Sequence, residues 1–267
     1  MAAHADVIQI GADPEMFVMS GSVIVPVCGM LNAGKWDPLE VDGGMVLEDN
    51  VLAEFGITPA TSADQFAHNI KHVVDQLNEL LAAKGATTVI QASHVFDKSQ
   101  LVIHPQALEF GCEPDFNAWL DGDRNPRPRA DNSNLRSAGG HVHIGFATKS
   151  TTMDDRIQVM QACDVLLGLP SVVADEDTQR RQLYGKAGAF RPKSYGAEYR
   201  TLSNFWLRED ALMKKVFERA KAAVTFLDDV GMRTKVDTYG HLIQEAINTS
   251  HVEMALELMK IFEVEPF

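Results

Sequence analysis

An α+β fold, with a mainly antiparallel sheet backed by helices, is what the sequence predicts. Three observations carry that expectation. Short β-rich runs punctuated by Gly, Ser and Pro crowd the first half, amphipathic helical periods are inserted at irregular intervals, and the pattern after residue 208 is helical. Regularly alternating strands and helices, the mark of a parallel sheet, are absent. The 267 residues are 45% hydrophobic and 23% charged, which suits one large domain over 1–267 with a helical C-terminal part over 208–267.

Val7 to Ile10, continuing to Val18, and Ser22 to Val27 read as strands, and Met45 to Phe55 as a third that Pro59 closes off. Ser62 followed by Gln65 forms a capping box. Phe66, Ile70, Val73, Val74, Leu77, Leu80 and Leu81 then repeat at helical spacing until Gly85, giving the clearest amphipathic helix. Thr88 to Val95 reads as another strand, and 111–137, rich in Pro, Asp, Asn and Arg, as a long irregular excursion. Gly139-Gly140 leads into a strand from His141 to Phe146. A helix with Ile157, Met160, Cys163, Leu166 and Leu167 inward follows, and Pro170 should kink or end it. Tyr199 to Trp206 is a further strand, then helices run from Ala211 to Leu227 and in two shorter segments to the end. No internal repeat or low-complexity tract interrupts this order.

Twenty-four Lys and Arg against 37 Asp and Glu leave a net charge of −13, a field that disfavours nucleic acid and anionic membranes. Cys28, Cys112 and Cys163 are odd in number and far apart, so neither a disulfide framework nor a thiolate zinc site is indicated. No export signal or bilayer-length apolar run stands out, and a cytoplasmic protein is expected.

Residues two apart on a strand face the same way, so Asp13 and Glu15 should project together and repel unless a cation sits between them. The geometry recurs in His141-Val142-His143 and in Glu198-Tyr199-Arg200, and Glu48 and Glu54 are also an even number of residues apart. For each pair alone a surface ion pair or a satisfied core histidine is a fair alternative. Together they describe a sheet face that is a wet cavity. Carboxylates with one or two histidines are hard ligands suited to Mg²⁺ or Mn²⁺. Arg180, Arg181, Lys186, Arg191 and Arg200, interleaved with Gly185, Gly188 and Gly196, suit triphosphate oxygens, although Arg180 and Arg181 could equally balance Asp175, Glu176 and Asp177. No Walker-type phosphate loop, nucleophile elbow or His-Glu-x-x-His helix is present.

The ordered set Asp13-Pro-Glu15, Glu48, Glu54, Gly140-His141-Val-His143-Ile-Gly145, Arg191 and Glu198-Tyr-Arg200 resembles the carboxylate–amine ligase superfamily of glutamine synthetase and glutamate–cysteine ligase. More closely, Ala-Asp-Pro-Glu-Met-Phe, Ala-Gly-Gly-His-Val-His-Ile-Gly and Tyr-Gly-Ala-Glu-Tyr-Arg-Thr-Leu-Ser-Asn-Phe-Trp resemble the COOH–NH2 ligase family typified by phiEco32-like phages, over about residues 7–207. The resemblance implies a glutamine synthetase-like saddle-shaped sheet holding ATP and two or three Mg²⁺ ions. Glu15, Glu48 and Glu54 would hold the metal near the acceptor, and Asp13, His141 and Glu198 the one on the β- and γ-phosphates. Arg191 and Arg200 would act with Glu198 on the transferring phosphoryl group, converting a carboxylate to an acyl phosphate that an amine displaces. Cys112, Asp115, Asn117, Trp119, Arg136 and His143 are the expected sources of contacts to small-molecule or peptide carboxylate and amine substrates.

Relatives have Glu-x-Glu where this chain has Asp13-Pro14-Glu15, which leaves the number of metal ions open. With no evident domain ahead of that motif each chain would hold a complete site, whether alone or in a homo-oligomer. Two other classes stand beside this one: a metal-dependent amidohydrolase needing no ATP, and a catalytically silent binding protein on the same fold.

Overall fold

The computed structural model describes residues 7–108, 115–125, 134–146 and 152–267. Its first part is β1 (Gln9–Ala12), β2 (Glu15–Ser20), β3 (Val23–Val25), β4 (Leu39–Val41), β5 (Gly44–Asp49), β6 (Leu52–Ile57), α1 (Ala63–Ala82), β7 (Ala86–Val89), β8 (Ser93–Val95) and α2 (Lys98–Leu101). The middle contributes β9 (Phe116–Asn117), β10 (Leu135–Ser137), β11 (Val142–Gly145), α3 (Met153–Cys163), α4 (Leu169–Ala174), α5 (Arg180–Leu183), β12 (Ala189–Lys193) and β13 (Gly196–Tyr199). Three helices close the chain: α6 (Asp210–Ala223), α7 (Val230–Thr249) and α8 (Val252–Phe262).

The expected α+β mixture of helices and antiparallel sheets is present, but the strands form two main sheets and a small ribbon rather than one sheet. One sheet runs β1-β11-β13-β12-β9, another β3-β2-β6-β5-β4 with β7 also on β2, and β8 pairs with β10. The predicted first strand is broken between Asp13 and Glu15. Pro14 has no N–H for a ladder, and there the chain passes from the first sheet to the second. The two sheets stay joined by main-chain bonds: Asp13 N donates to His141 O at 3.4 Å, Glu15 N to Gly139 O at 2.9 Å, and Phe55 N to Pro14 O at 3.2 Å.

The predicted strand from Met45 to Phe55 is instead a hairpin, β5–β6, turning at Asn50, whose φ of 60° is left-handed. The predicted strand Tyr199 to Trp206 is β13 ending at Tyr199, followed by a 3₁₀ turn over Asn204–Arg208. β12, hidden in a polar Gly-containing stretch, went unpredicted.

Helices cover one face of the first sheet. Ile10, Ala12, Val142, Ile144, Phe190, Ala197 and Tyr199 point into the core, where α3 and α6 pack. α1 begins where the capping box places it: Ser62 Oγ accepts from Gln65 N at 3.3 Å, while the Gln65 side chain accepts from Thr61 N at 3.0 Å. Its Phe66 stacks on Trp206 at 5.9 Å and meets Phe217 of α6 at 5.7 Å.

The helix containing Pro170 does not end there. Residues 164–168 form a π turn between α3 and α4, so the continuous helix Met153–Ala174 carries the proline past a widened turn. Pro170 cannot donate to the Leu166 carbonyl, and Arg219 Nη1 from α6 does so instead at 3.3 Å. By length and composition this helix could also cross a bilayer, contrary to the expectation from sequence, but 67% of its most apolar window is buried within the protein.

Candidate metal centre

Alternation along the first sheet assigns the opposite face to polar side chains. Because β1, β11, β13 and β12 pair in register, with Gly11 opposite His143, His143 opposite Glu198 and Glu198 opposite Arg191, one face gathers Asp13, His141, His143, Arg191, Lys193, Glu198 and Arg200. In the second sheet Glu15 lies opposite Glu54, Glu54 opposite Leu47, and Asp49 is two residues from Leu47, so Glu15, Asp49 and Glu54 share a face. The break at Pro14 sets the two groups side by side.

Two ligand sets result: Asp13, His141 and Glu198, and Glu15, Asp49 and Glu54, with the potential ligand atoms of each set within 4.8 Å of one another. Atoms bound at about 2.1 Å to one Mg²⁺ lie within roughly 4.2 Å of each other. His141 Nδ1 is 3.6 Å from Asp13 Oδ1 and 3.8 Å from Glu198 Oε1, separations that suit a shared ion better than direct hydrogen bonds. Arg200 Nη1 lies 3.2 Å from the same nitrogen, and because a guanidinium only donates, Nδ1 carries a lone pair there. Asp13 Oδ1 is buried and has no hydrogen-bond donor among the described residues. These features fit a divalent cation.

Charge separates the two sets. Burial would raise Asp13, but His143, 2.9 Å away, and His141 hold its carboxyl well below the usual range. Burial likewise works against ionised Glu198, and Arg200 with the two histidines overcomes it, holding that carboxyl at about 2. Lys193 Nζ stands 2.8 Å from Glu198 Oε2, a cation that sequence reasoning missed because the strand carrying it was missed. In the second set Arg200, with Lys35 and His141 at Asp49, offsets the repulsion only in part. Burial and the charges of Asp13, Glu15 and Asp49 push Glu54 well above the ordinary glutamate range, and burial with Glu15 raises Asp49.

Glu48 is not in the centre. On β5 it faces away from Asp49, and its carboxylate accepts from the amides of Gly29 at 2.8 Å, Leu31 at 2.8 Å and Asn32 at 3.1 Å, fixing the loop before β4. Asp49 takes its expected place because the hairpin turn, unlike a continuous strand, reverses the even-spacing rule. The Glu-Asp-Asn sequence before the turn was the available signal.

The other predicted residues divide. Arg200 donates to Glu198 and, at 2.7 Å, to Asp115, and Arg191 Nε lies 3.7 Å from Asp115. Arg181 belongs elsewhere: buried, it donates to Ser171 at 2.9 Å, and burial lowers its pKa against the pull of Asp175. The helix-end role fits Arg181. Lys186 is half-buried and lines neither cavity described below. Asn117 accepts from Trp119 N, and Trp119 turns behind the sheet to donate to Asp164 at 2.6 Å. His143 shares a hydrogen bond with Tyr195. Cys112 lies outside the described residues.

A cavity opens on each side of the acidic row. One, with about 600 Å³ of space including its mouth, is lined by Glu15, Asp49, Asp115, Arg136, His141, Arg180 and Arg200 among others. The other, about 760 Å³, is lined by Asp13, His143 and Tyr195 with Gly11, Gly56, Gly145 and the apolar Met45, Ile57 and Pro59. Arg180 therefore faces the Glu15 side and not the Asp13 side.

Gly139 and Gly140 make the centre possible. A Cβ at Gly139 would fall within the His141 ring, and one at Gly140 would strike the Ser203 carbonyl and the Trp206 indole. Residues 132–257, which hold both glycines, His141, Arg191, Glu198 and Arg200, match the family described as Phage phiEco32-like COOH.NH2 ligase-type 2. The resemblance read from the motifs is thus shown over that stretch. No curated protein matches the chain.

Proposed function

Given that kinship with a carboxylate–amine ligase family, we propose that the chain is an ATP-dependent ligase with a glutamine synthetase-like catalytic fold. It joins a carboxylate to an amine through an acyl phosphate. The observation that supports this most is the pair of adjoining ligand sets flanked by Arg191, Lys193 and Arg200. An amide hydrolase activating water can also use two metal ions, but it has no triphosphate for a cluster of cations to hold.

Asp13, His141 and Glu198 would hold one Mg²⁺, and Glu15, Asp49 and Glu54 another. Bound there, Mg²⁺ would offset the negative charge of the phosphates and of the attacking carboxylate. The glycine-lined cavity beside Asp13 and His143 is the place for the nucleotide, since its small residues and apolar walls admit a flat base. The carboxylate substrate enters from the cavity on the Glu15 side. Arg200, fixed by Asp115 and Glu198, lines the cavity on the Glu15 side beside both ligand sets, where the phosphoryl group would cross. Arg191 adds a second guanidinium from β12, and Lys193 neutralises the buried Glu198 until the site is charged with substrates.

Calorimetric titration of ADP in Mg²⁺, together with phosphate release from ATP across a panel of carboxylates and amines, tests this. Binding and acceptor-dependent release are expected, and Glu198→Gln should lose turnover while remaining folded. No affinity for ATP or ADP would sink the ligase proposal and leave a metal hydrolase.

A further inference from the structure

We propose that Asp164, on the far side of the first sheet from the metal centre, is a positioning residue. Through Trp119 and Tyr199 it holds the hairpin bearing Asp115 against the strand bearing Arg200, and so fixes the Arg200 guanidinium. The proposal rests on the ligase reading only for what Arg200 does in turnover.

Arg200 is held from both faces. On the front its Nε donates to Asp115 Oδ1 at 2.7 Å. Its chain neighbours Tyr199 and Thr201 point to the back, as alternation requires. There Asp164 Oδ1 accepts from the Tyr199 hydroxyl at 2.7 Å, with Thr201 Oγ1 at 3.5 Å, and Oδ2 accepts from Trp119 Nε1 at 2.6 Å. Trp119 belongs to the same short hairpin as Asp115, closed by Asn125 N to Asp115 O and Asn117 N to Asp123 O, each at 2.8 Å. One carboxyl therefore restrains, from behind, the segments that carry both members of the Asp115–Arg200 pair.

Stability alone does not account for this network. Asp164 is fully buried, and among the described residues its partners are the neutral donors of Trp119, Tyr199, Thr201 and the Gly188 amide rather than a cation. Three glycines clear its space. A Cβ at Gly240, inside the 20-residue α7 where glycine is unfavourable, would lie 2.7 Å from the Trp119 ring, and one at Gly188 2.6 Å from it. At Gly168 a Cβ would come within 2.8 Å of the Tyr199 hydroxyl. Asp164 and Gly168 are also the two ends of the π turn, a local widening that recurs at functional sites. Apolar residues of matching shape could fill such a place with little loss of stability, whereas a satisfied polar network fixes one geometry.

The test reads Arg200 directly, by ¹⁵N NMR of the whole protein, with its Nε–H signal identified by loss in Arg200→Lys. Water exchange of that proton should quicken at least about tenfold in Asp164→Asn, which has one acceptor oxygen for two donors, and in Trp119→Phe, which lacks the indole N–H. Tyr199→Phe, which loses a single hydroxyl, carries the same expectation should those two fail to fold. Leu167→Ala, an equally buried apolar loss in the same π turn, should leave the rate within about twofold. In turnover the network variants should lose about tenfold in kcat with KM for ATP nearly unchanged, as misplacement of a transition-state contact requires. Unchanged exchange, an equal rise in Leu167→Ala, or faster exchange with undiminished kcat would overturn the proposal. Faster exchange in a protein whose wild type turns over no ATP refutes only the ligase reading, and ATP turnover with unchanged exchange in the variants refutes only the positioning role.

Discussion

Replacing Glu54 by glutamine should stabilise the cation-free protein and remove the part of its response to Mg²⁺ that belongs to the Glu15, Asp49 and Glu54 set, both for one reason. The ligand oxygens of Glu15, Asp49 and Glu54 lie within 4.8 Å of one another. At an effective dielectric of about 20, two charges at that separation repel by roughly 3.5 kcal/mol, so an ionised Glu54 would face roughly 7 kcal/mol from two ionised neighbours. Keeping a proton on an ordinary glutamate at pH 8 costs about 5 kcal/mol. Protonation wins, which is the direction in which burial and Asp13, Glu15 and Asp49 drive Glu54. The native chain then holds a proton that the unfolded chain has released. Stability from this group is greatest below the ordinary glutamate range and declines as pH rises above it.

Glutamine needs no proton, so its advantage over wild type should grow between pH 5 and pH 8. The ceiling is about 4 kcal/mol, three pH units at 1.36 kcal/mol each, and Arg200, which lowers Glu54, trims it. Urea unfolding followed by tryptophan fluorescence, with chelator and then with Mg²⁺, measures both effects. Mg²⁺ at a hundred times a site's Kd should add about 2.7 kcal/mol for each occupied site in wild type, and Glu54→Gln should lose most of the share of the Glu15, Asp49 and Glu54 set. Parallel pH profiles, or equal gains from Mg²⁺, would refute the crowded-carboxylate account.

Three other outcomes follow from the same geometry. Glu48→Gln should cost about 1–3 kcal/mol by releasing the amides of Gly29, Leu31 and Asn32 yet keep the full Mg²⁺ response, whereas Asp49→Asn should lose the share of that response owed to its own ligand set; thermal melts with and without Mg²⁺ distinguish them. Gly139→Ala must displace the His141 ring, and a loss of about 1–3 kcal/mol together with weakened Mn²⁺ binding is expected by melting and calorimetry. Asp164, fully buried behind the sheet, is raised by burial to about 7 despite hydrogen bonds from Trp119 and Tyr199, so its contribution is present below about pH 4 and lost as pH approaches 7. Relative to Asp164→Asn, wild type should therefore lose on the order of 4 kcal/mol across that range, and a pH-independent difference in urea midpoints would contradict it.

Legibility followed locality. The α1 helix could be read whole because its cap and its apolar stripe are both written within twenty-odd residues. The Gly139-Gly140-His141-Val142-His143 strand was equally readable, since glycine pairs and alternating imidazoles are local marks. Glu48 was misread because its role depends on a turn at Asn50 that converts one strand into two, and an even spacing across a turn no longer means a shared face. Lys193 stayed hidden for a different reason: β12 is short and carries Pro192, and pairing with β13 and β9 is what makes it a strand. Arg180 and Arg181 are adjacent in sequence, yet one lines a cavity and the other is locked beneath α4, a difference set by tertiary packing alone.

The break at Pro14 explains how two crowded ligand sets coexist. On an unbroken strand Asp13 and Glu15 would sit about 7 Å apart on one sheet and compete for the same neighbours. A residue without an N–H can leave a ladder with no donor left unmet, while its carbonyl remains free to accept from Phe55. Asp13 thereby ends the first sheet, where His141 and Glu198 join it, and Glu15 opens the second, where Asp49 and Glu54 join it. Both sheets wall each of the two cavities, one glycine-lined and one arginine-lined, and Arg200 lines the second beside Glu15, Asp49 and His141. The shorter Asp13 suits this arrangement, because the histidines of β11 are close enough to reach it: His143 Nε2 is already 2.9 Å away. A glutamate at that position would carry its carboxylate one methylene further, into the imidazole, so Asp13→Glu should weaken Mn²⁺ binding although it restores the spacing pattern of the wider superfamily. Unchanged or tighter Mn²⁺ affinity in calorimetry would show that the chain length at this position is not what fixes the first ligand set.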